Sequence, residues 1–159
     1  MTKLYFPQRN DFIIGIVESK ISSEFYRINI NSTQSAIVSN LDFKNVVKRN
    51  KQILEDNDAI YGQVSEVIPD SMITCKESVG LLKSGMIVKV NCKFCSNFKP
   101  YKIILDKYLN FDCLVGKNGF IYINHEDSSI RIVLYNFIKR GEYMNISEFE
   151  SVVIEAMGK

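Results

Sequence analysis

The chain has 159 residues, of which 46% are hydrophobic and 24% charged, and its formal net charge is +2. This composition is typical of a globular protein and excludes a chain that is disordered throughout, and the length accommodates one large domain or two small ones. No apolar run reaches the roughly 18 residues that a membrane span requires, and the N-terminal residues lack the pattern of a signal peptide, so we expect neither membrane insertion nor export.

The first half of the chain has the pattern of an all-β domain. Five short strands are predicted at residues 11–18, 25–30, 35–39, 58–68 and 71–75. Gly15, in the middle of the first strand, is expected to mark a bend or a bulge. The long connection at residues 41–51 is expected to contain a turn or two of helix. Five strands with one long connection predict a five-stranded OB-type barrel.

The second half predicts an α+β unit. A strand is expected at residues 86–90, helices at 92–98 and 101–108, and a hairpin of strands 111–115 and 120–123 around the sequence Gly116-Lys-Asn-Gly119. A helix over residues 130–140 precedes a final helix through Met157, for which Ser147-Glu-Phe-Glu150 is the predicted capping box.

Positive charge is concentrated in the middle of the chain. Residues 76–107 contain seven lysines against only Glu77 and Asp106, whereas the flanking segments are close to neutral. Such an asymmetry is expected where part of a surface meets a polyanion. A solvated lysine-rich face explains the same pattern.

Several segments, in order along the chain, carry a family resemblance. They are Tyr5–Val17, Tyr26–Ile30, Lys48–Lys51, Asp58–Gln63 and Gly116–Ile123. Together they resemble the ribosomal RNA-processing protein 40 family, also called exosome component 3, and the sister family of ribosomal RNA-processing protein 4 is the nearest alternative.

The resemblance implies an S1 domain and a KH domain in a non-catalytic cap subunit of the RNA exosome. On this basis residues 1–9 are a short N-terminal segment, residues 10–76 an S1-type OB-fold domain, and residues 77–159 a KH-like domain. The implied partners are single-stranded RNA, the RNase PH-like ring subunits and the other cap subunits. The implied locations are the nucleus, including the nucleolus, and the cytoplasm. Family members carry a further N-terminal β-domain, so either a reduced protein or a fragment is expected.

RNA contact by such a barrel requires exposed aromatic rings for stacking and nearby cations for phosphates. Alternation places Tyr26, Ile28 and Ile30 inward and Phe25 and Arg27 outward. The predicted RNA-binding residues are therefore Lys20, Phe25, Arg27, Lys44, Lys48, Arg49 and Lys51. For Phe25 the alternative is burial under a neighbouring domain. For the basic segment with Lys48, Arg49 and Lys51 the alternatives are a solvated turn or a contact with the ring.

The glycine-rich hairpin invites comparison with the RNA-clamping Gly-x-x-Gly loop of KH domains, which joins two helices. Here β-rich runs lie on both sides, so Gly116, Asn118 and Gly119 are predicted to serve the structure of a tight turn.

Other chemistry finds little support in the sequence. Cys92 and Cys95 have the spacing of half a zinc site, but a second pair is missing. Since His125 is the only histidine and no phosphate loop or nucleophile motif is present, no catalytic residue, metal or cofactor is predicted. Two other functions remain open, an architectural exosome clamp and an S1-type RNA-binding protein outside the exosome.

Overall fold

The computed structural model of the protein describes residues 4–158. Its internal contacts divide the chain into two compact units. The first extends to Lys83 and also includes the tripeptide Gly116–Asn118, and the second comprises Ser84–Val115 and the chain from Gly119 onwards. None of the helices within the described residues is long and apolar enough to cross a membrane.

The first unit is a closed barrel. Its strands are β1 (Phe12–Lys20), β2 (Phe25–Asn29), β3 (Ala36–Phe43), β4 (Ala59–Glu66), β5 (Met72–Cys75) and β6 (Gly80–Leu82). The order β1-β2-β3-β5-β4 is closed by pairing between β4 and β1, and the β3–β5 pair is the parallel one. The predicted five-stranded barrel is confirmed. The short strand β6, which pairs with the first half of β4, was not predicted.

Gly15 has a different role from the predicted one. Pairing of β1 with β4 continues regularly through Gly15, and the register shift in β1 lies further along, between Val17 and Ser19. A Cβ atom on Gly15 would lie 2.3 Å from Cγ2 of Ile28, inside the fully buried barrel core. The position therefore requires glycine because the Ile28 side chain approaches the backbone too closely for any other residue.

The long connection between β3 and β4 does not form the predicted helix. β3 continues to Phe43, and residues 44–58 form turns and irregular backbone. Asn45 has φ of 63°, a left-handed conformation that interrupts a right-handed helix at its first turn. The buried side chain of Leu54 anchors the later part of the connection.

The second unit is an antiparallel sheet with four helices. In chain order its elements are β7 (Met86–Lys89), α1 (Cys92–Ser96), α2 (Lys99–Asp106), β8 (Asp112–Val115), β9 (Phe120–Asn124), α3 (Ser128–Gly141) and α4 (Ile146–Met157). The sheet order is β7-β9-β8. An aromatic chain of Phe98, Phe94, Tyr101 and Phe149 lies in its core, with successive ring centroids 4.8–5.6 Å apart in edge-to-face geometry. The predicted α+β class of this half is confirmed.

The last helix begins two residues earlier than its predicted capping box requires. The Asn145 side chain accepts a hydrogen bond from the Glu148 N–H at 2.9 Å, and the Glu148 carboxylate accepts one from the Asn145 N–H. The prediction of Ser147 and Glu150 as the box is therefore wrong. Asparagine is as good an N-cap as serine, so the sequence contained two overlapping candidates with the same spacing.

Candidate nucleic-acid interface

The outer face of β2 carries the predicted aromatic and cationic pair. Tyr26 and Ile28 are buried in the barrel core, whereas Arg27 is exposed and Phe25 is half-buried. In the register with β3, Phe25 lies opposite Ser39 and Arg27 lies opposite Ile37. The alternation predicted for this strand is thus observed, and one ring and one guanidinium lie on the same outward face.

Lys20 lies on the other side of the sheet from these two residues. It pairs with Tyr26, and residues directly opposite one another project to the same face. Its Nζ is 6.0 Å from the centroid of the Tyr26 ring, at the outer limit of a cation–π contact. The Tyr26 hydroxyl accepts a hydrogen bond from the Leu54 N–H at 3.3 Å, which brings this end of the barrel next to the β3–β4 connection.

The four bases of the β3–β4 connection all project into solvent. They are Lys44, Lys48, Arg49 and Lys51. Within residues 4–158 the ion pairs involve Lys76, Lys102, Lys107 and Lys117, so none of the candidate RNA-binding cations is held in one. Three of the seven lysines between residues 76 and 107 are paired with carboxylates, which makes the basic middle of the chain less available than its net charge indicates.

A depression of about 210 Å³ joins the connection to the start of β2. Its walls are Ser23, Glu24, Asn40, Leu41, Lys48 and Lys51. Two of the predicted cations therefore meet in one hollow beside Glu24, the residue that precedes Phe25. Arg49 and Lys44 do not line it. Glu24 and Asn40 were not found from the sequence, because an acid and an amide next to a strand give no signal of their own.

Asn118 completes the edge of the barrel with its side chain. Its Oδ1 accepts from the Ile14 N–H at 3.2 Å, and its Nδ2 donates to the Ile14 carbonyl at 2.6 Å and the Ile30 carbonyl at 3.0 Å. The Asn31 side chain donates to the Asn118 carbonyl at 2.8 Å. The Asn118 residue is 0% exposed.

The reason for this arrangement is a gap in the sheet. The Val17 N–H donates to Asp58 on the β4 side, so the polar backbone groups of the even-numbered β1 residues face β2. β2 pairs with β1 only from Ile16 onwards, which leaves the Ile14 groups without a strand partner. The carboxamide of Asn118 supplies the donor and the acceptor that a peptide group would provide.

The four cysteines are free thiols, of which Cys75 and Cys95 are buried and Cys92 and Cys113 partly buried. Burial raises the pKa of Cys75, Cys95 and Cys113 to about 12, and it also raises the pKa of Cys92. Among residues 4–158 no three His, Cys, Asp or Glu side chains are grouped so as to hold a metal ion. His125 lies in a separate depression whose lining contains no cysteine, and its Nδ1 accepts from the Asp127 N–H at 2.9 Å.

Comparison with known proteins shows that the sequence of the first unit matches one protein family. Residues 5–86, just over half of the chain, match the family described as exosome complex component RRP40, S1 domain. The chain belongs to the RRP40 family. It is 29% identical to exosome complex component RRP40 of Saccharomyces cerevisiae, over 86% of this chain and 63% of the relative. It is 30% identical to exosome complex component rrp40 of Schizosaccharomyces pombe, over 92% of this chain and 67% of that relative.

The sequence likeness to RRP40 proteins extends through the second unit, and the fold of the chain is similar to that of one solved structure. The human RRP40 is 24% identical over 94% of this chain, and the chain spans 59% of the human protein's length. A crystal structure provisionally described as that of an exosome complex RNA-binding protein superposes with a TM-score of 0.79 at 20% identity, covering 96% of this chain and 97% of that one. The chain spans about two thirds of the yeast relatives' length.

Proposed function

We propose that this chain is a non-catalytic RNA-binding cap subunit of the RNA exosome, which helps to guide RNA into an RNase PH-like ring for 3′-to-5′ processing and degradation. Its membership of the RRP40 family, whose yeast and human members are named exosome complex components, supports this assignment. The single structural observation that carries it is the exposed basic segment of the β3–β4 connection, whose Lys48 and Lys51 line a hollow with Glu24, the residue before β2.

The physical basis is the recognition of single-stranded RNA by stacking and by phosphate contact. A half-buried aromatic ring such as Phe25 offers a rigid face to a base, and stacking contributes roughly 1–3 kcal/mol per base. Arg27 on the same face and the bases Lys48, Arg49 and Lys51 would contact phosphates. Both kinds of contact tolerate any sequence, as a subunit that passes varied RNAs requires.

The remaining roles follow from the same proposal. Hydrolysis is assigned to other subunits, and we place no catalytic residue, metal or cofactor in this chain. The second unit serves as a KH-like mount, and the RNase PH-like ring subunits and the other cap subunits are its protein partners. The locations are those of exosome function, the nucleus with its nucleolus, and the cytoplasm.

Affinity capture tests the membership of the complex. The full chain, tagged and expressed in its own cells, is expected to retain RNase PH-like subunits after treatment with ribonuclease, because protein contacts and not shared RNA hold a cap in place. If RNA is recovered but those subunits are not, the chain is an S1-type RNA-binding protein outside the exosome. If the subunits are recovered and the assembled complex binds RNA equally well without the basic segment's charge, the chain is an architectural clamp.

A further inference from the structure

The face of the barrel formed by β1 and β4 carries two stacked aromatic rings. Phe12 and Tyr61 have ring centroids 5.8 Å apart and ring planes inclined by only 13°. Phe12 lies directly opposite Gln63, two positions from Tyr61, so the two rings project from the same face of the sheet. This is the outer face, because the alternate β4 residues Ile60 and Val64 are buried in the barrel core. Phe12 is thus stacked on one side and remains 38% exposed.

Arg9 is anchored on the β4 side of this aromatic pair. Its Nε donates to the Ser65 carbonyl at 3.2 Å. Ser65 follows Tyr61 and Gln63 on the outer face of β4, so the guanidinium lies beside that row of side chains. Arg9 is exposed, and no carboxylate pairs with it among residues 4–158. Its two terminal amino groups are therefore available to a ligand.

Lys117 is anchored on the opposite side of Phe12, the one that faces β2. Its N–H donates to the Phe12 carbonyl at 2.9 Å, and its Nζ is 3.5 Å from Oδ1 of Asp11. The Lys117 side chain is 66% exposed, whereas that of Asp11 is 11% exposed and its Oδ2 accepts a hydrogen bond from the Tyr5 hydroxyl. The ammonium therefore keeps donors towards solvent, while the carboxylate is largely withdrawn from it.

We propose that Phe12, Tyr61, Arg9 and Lys117, which we call the Phe12 platform, form a second RNA-contact site on the barrel. A base stacks on the free face of the Phe12 ring, and Arg9 and Lys117 contact the phosphates on either side of it. Cations on both sides of an aromatic pair, with the neighbouring carboxylate withdrawn, are complementary to a chain that alternates bases and phosphates. This inference rests on the RNA-binding function proposed above and adds a second point of contact to it.

The Phe12 platform is distant from the candidate interface at the start of β2. Phe12 begins β1, whereas Lys20 ends it and pairs with Tyr26, the neighbour of Phe25. The nine residues of β1 span about 26 Å at the rise of an extended strand. An RNA strand held at both places runs along the barrel, so the two contacts can be separated by mutation.

Two variants test the stacking contact and the phosphate contact separately. The full chain is titrated at several salt concentrations with oligouridine of about 15 residues, within the site sizes of OB folds. Phe12→Leu removes the ring but no charge, so binding is expected to weaken roughly tenfold with an unchanged slope of log K against log salt. Arg9→Gln is expected to make that slope shallower by roughly 0.7. Tyr143→Leu, which removes an 83% exposed ring from the second unit, is the matched control and should bind as the unaltered chain does.

Photochemical cross-linking locates the stacked base. On irradiation, 5-iodouridine in the oligomer forms a bond with an aromatic ring on which it stacks, and mass spectrometry of the digested protein identifies that ring. Cross-links are expected at Phe12 or Tyr61 in addition to Phe25. Cross-links confined to Phe25, in oligomers labelled at each position in turn, overturn the platform.

The outcomes separate the Phe12 platform from the wider function. RNA binding that Phe12→Leu leaves unaltered overturns the platform and leaves the proposed function standing. If this variant instead recovers fewer ring subunits while the free chain binds RNA normally, the platform is a protein contact and the proposal is wrong. Failure of the unaltered chain, alone and in its captured complex, to bind RNA overturns the platform and the RNA-binding function together. Should Phe12→Leu fail to fold, as judged by its thermal unfolding, the Arg9→Gln slope decides, and an unchanged slope counts against the proposal.

Discussion

Replacement of Asn118 by alanine is expected to destabilise the barrel far more than it weakens RNA binding. The change removes one hydrogen bond to the Ile14 N–H and one to each of the Ile14 and Ile30 carbonyls, all of them buried. The bond from Asn31 goes to the Asn118 backbone and is retained. Three backbone groups then lie in the core without partners.

The magnitude follows from those three groups. An unpaired buried polar group costs about 1–3 kcal/mol, and water entering the space left by the side chain favours the low end, so the expected loss is about 3 kcal/mol. That is a large share of the roughly 5–15 kcal/mol that stabilises a protein of this kind. For a chain of this length it corresponds to a decrease in Tm of roughly 6–12 °C.

Urea unfolding followed by circular dichroism measures the change. Lys117→Ala is the control, because its ion pair with Asp11 at 3.5 Å involves a side chain that is 66% exposed, and its loss is expected to cost less than about 1 kcal/mol. Asn118→Asp keeps the acceptor for Ile14 but directs a carboxylate at two carbonyls, so it should cost at least as much as alanine. A stable Asn118→Ala protein with lost RNA affinity would refute the structural role.

Four further outcomes are expected. Gly15→Ala should lower the free energy of unfolding by about 1–3 kcal/mol in urea titrations, since its Cβ would lie 2.3 Å from Cγ2 of Ile28. Unchanged stability would contradict the close approach of Ile28 to the Gly15 backbone. The three thiols with a pKa raised to about 12 should react slowly with iodoacetamide at pH 8. Because unfolded thiols ionise near pH 9 and these do not, stability should fall as the pH rises from about 9 towards 12; a flat profile would contradict the burial. Asn145→Ala should cost about 1 kcal/mol by removing the cap of α4, whereas Ser147→Ala should cost little.

The barrel could be predicted because its strands carry local signals. Alternation in residues 25–29 and the turn residues between strands identify both the elements and the inward faces. The connection after Phe43 was misread because four bases among apolar residues imitate the pattern of a short amphipathic helix. The continuation of β3 to Phe43 and the left-handed backbone of Asn45 exclude the helix, and asparagine alone does not predict that conformation.

The candidate site was predictable in part for a similar reason. The outward direction of Phe25 and Arg27 follows from a period of two, which the sequence shows directly. The meeting of Lys48 and Lys51 with Glu24 and Asn40 depends on how an irregular connection folds back over the barrel, and no local pattern encodes that path. The bonds of Asn118 to Ile14 join residues more than one hundred positions apart, so the turn sequence predicted a structural role but not its partners.

The salt dependence of single-stranded RNA binding tests the central claim most directly. The full chain is compared with a triple variant, Lys48→Gln, Arg49→Gln and Lys51→Gln, and with a control of equal charge change, Lys89→Gln, Lys93→Gln and Lys99→Gln, all at exposed positions. If the β3–β4 connection contacts RNA, the slope of log K against log salt should become shallower by roughly 0.7 for each lost phosphate contact in the first variant, and remain near its original value in the control. An unchanged slope in the first variant, with or without a change in the control, would contradict the account.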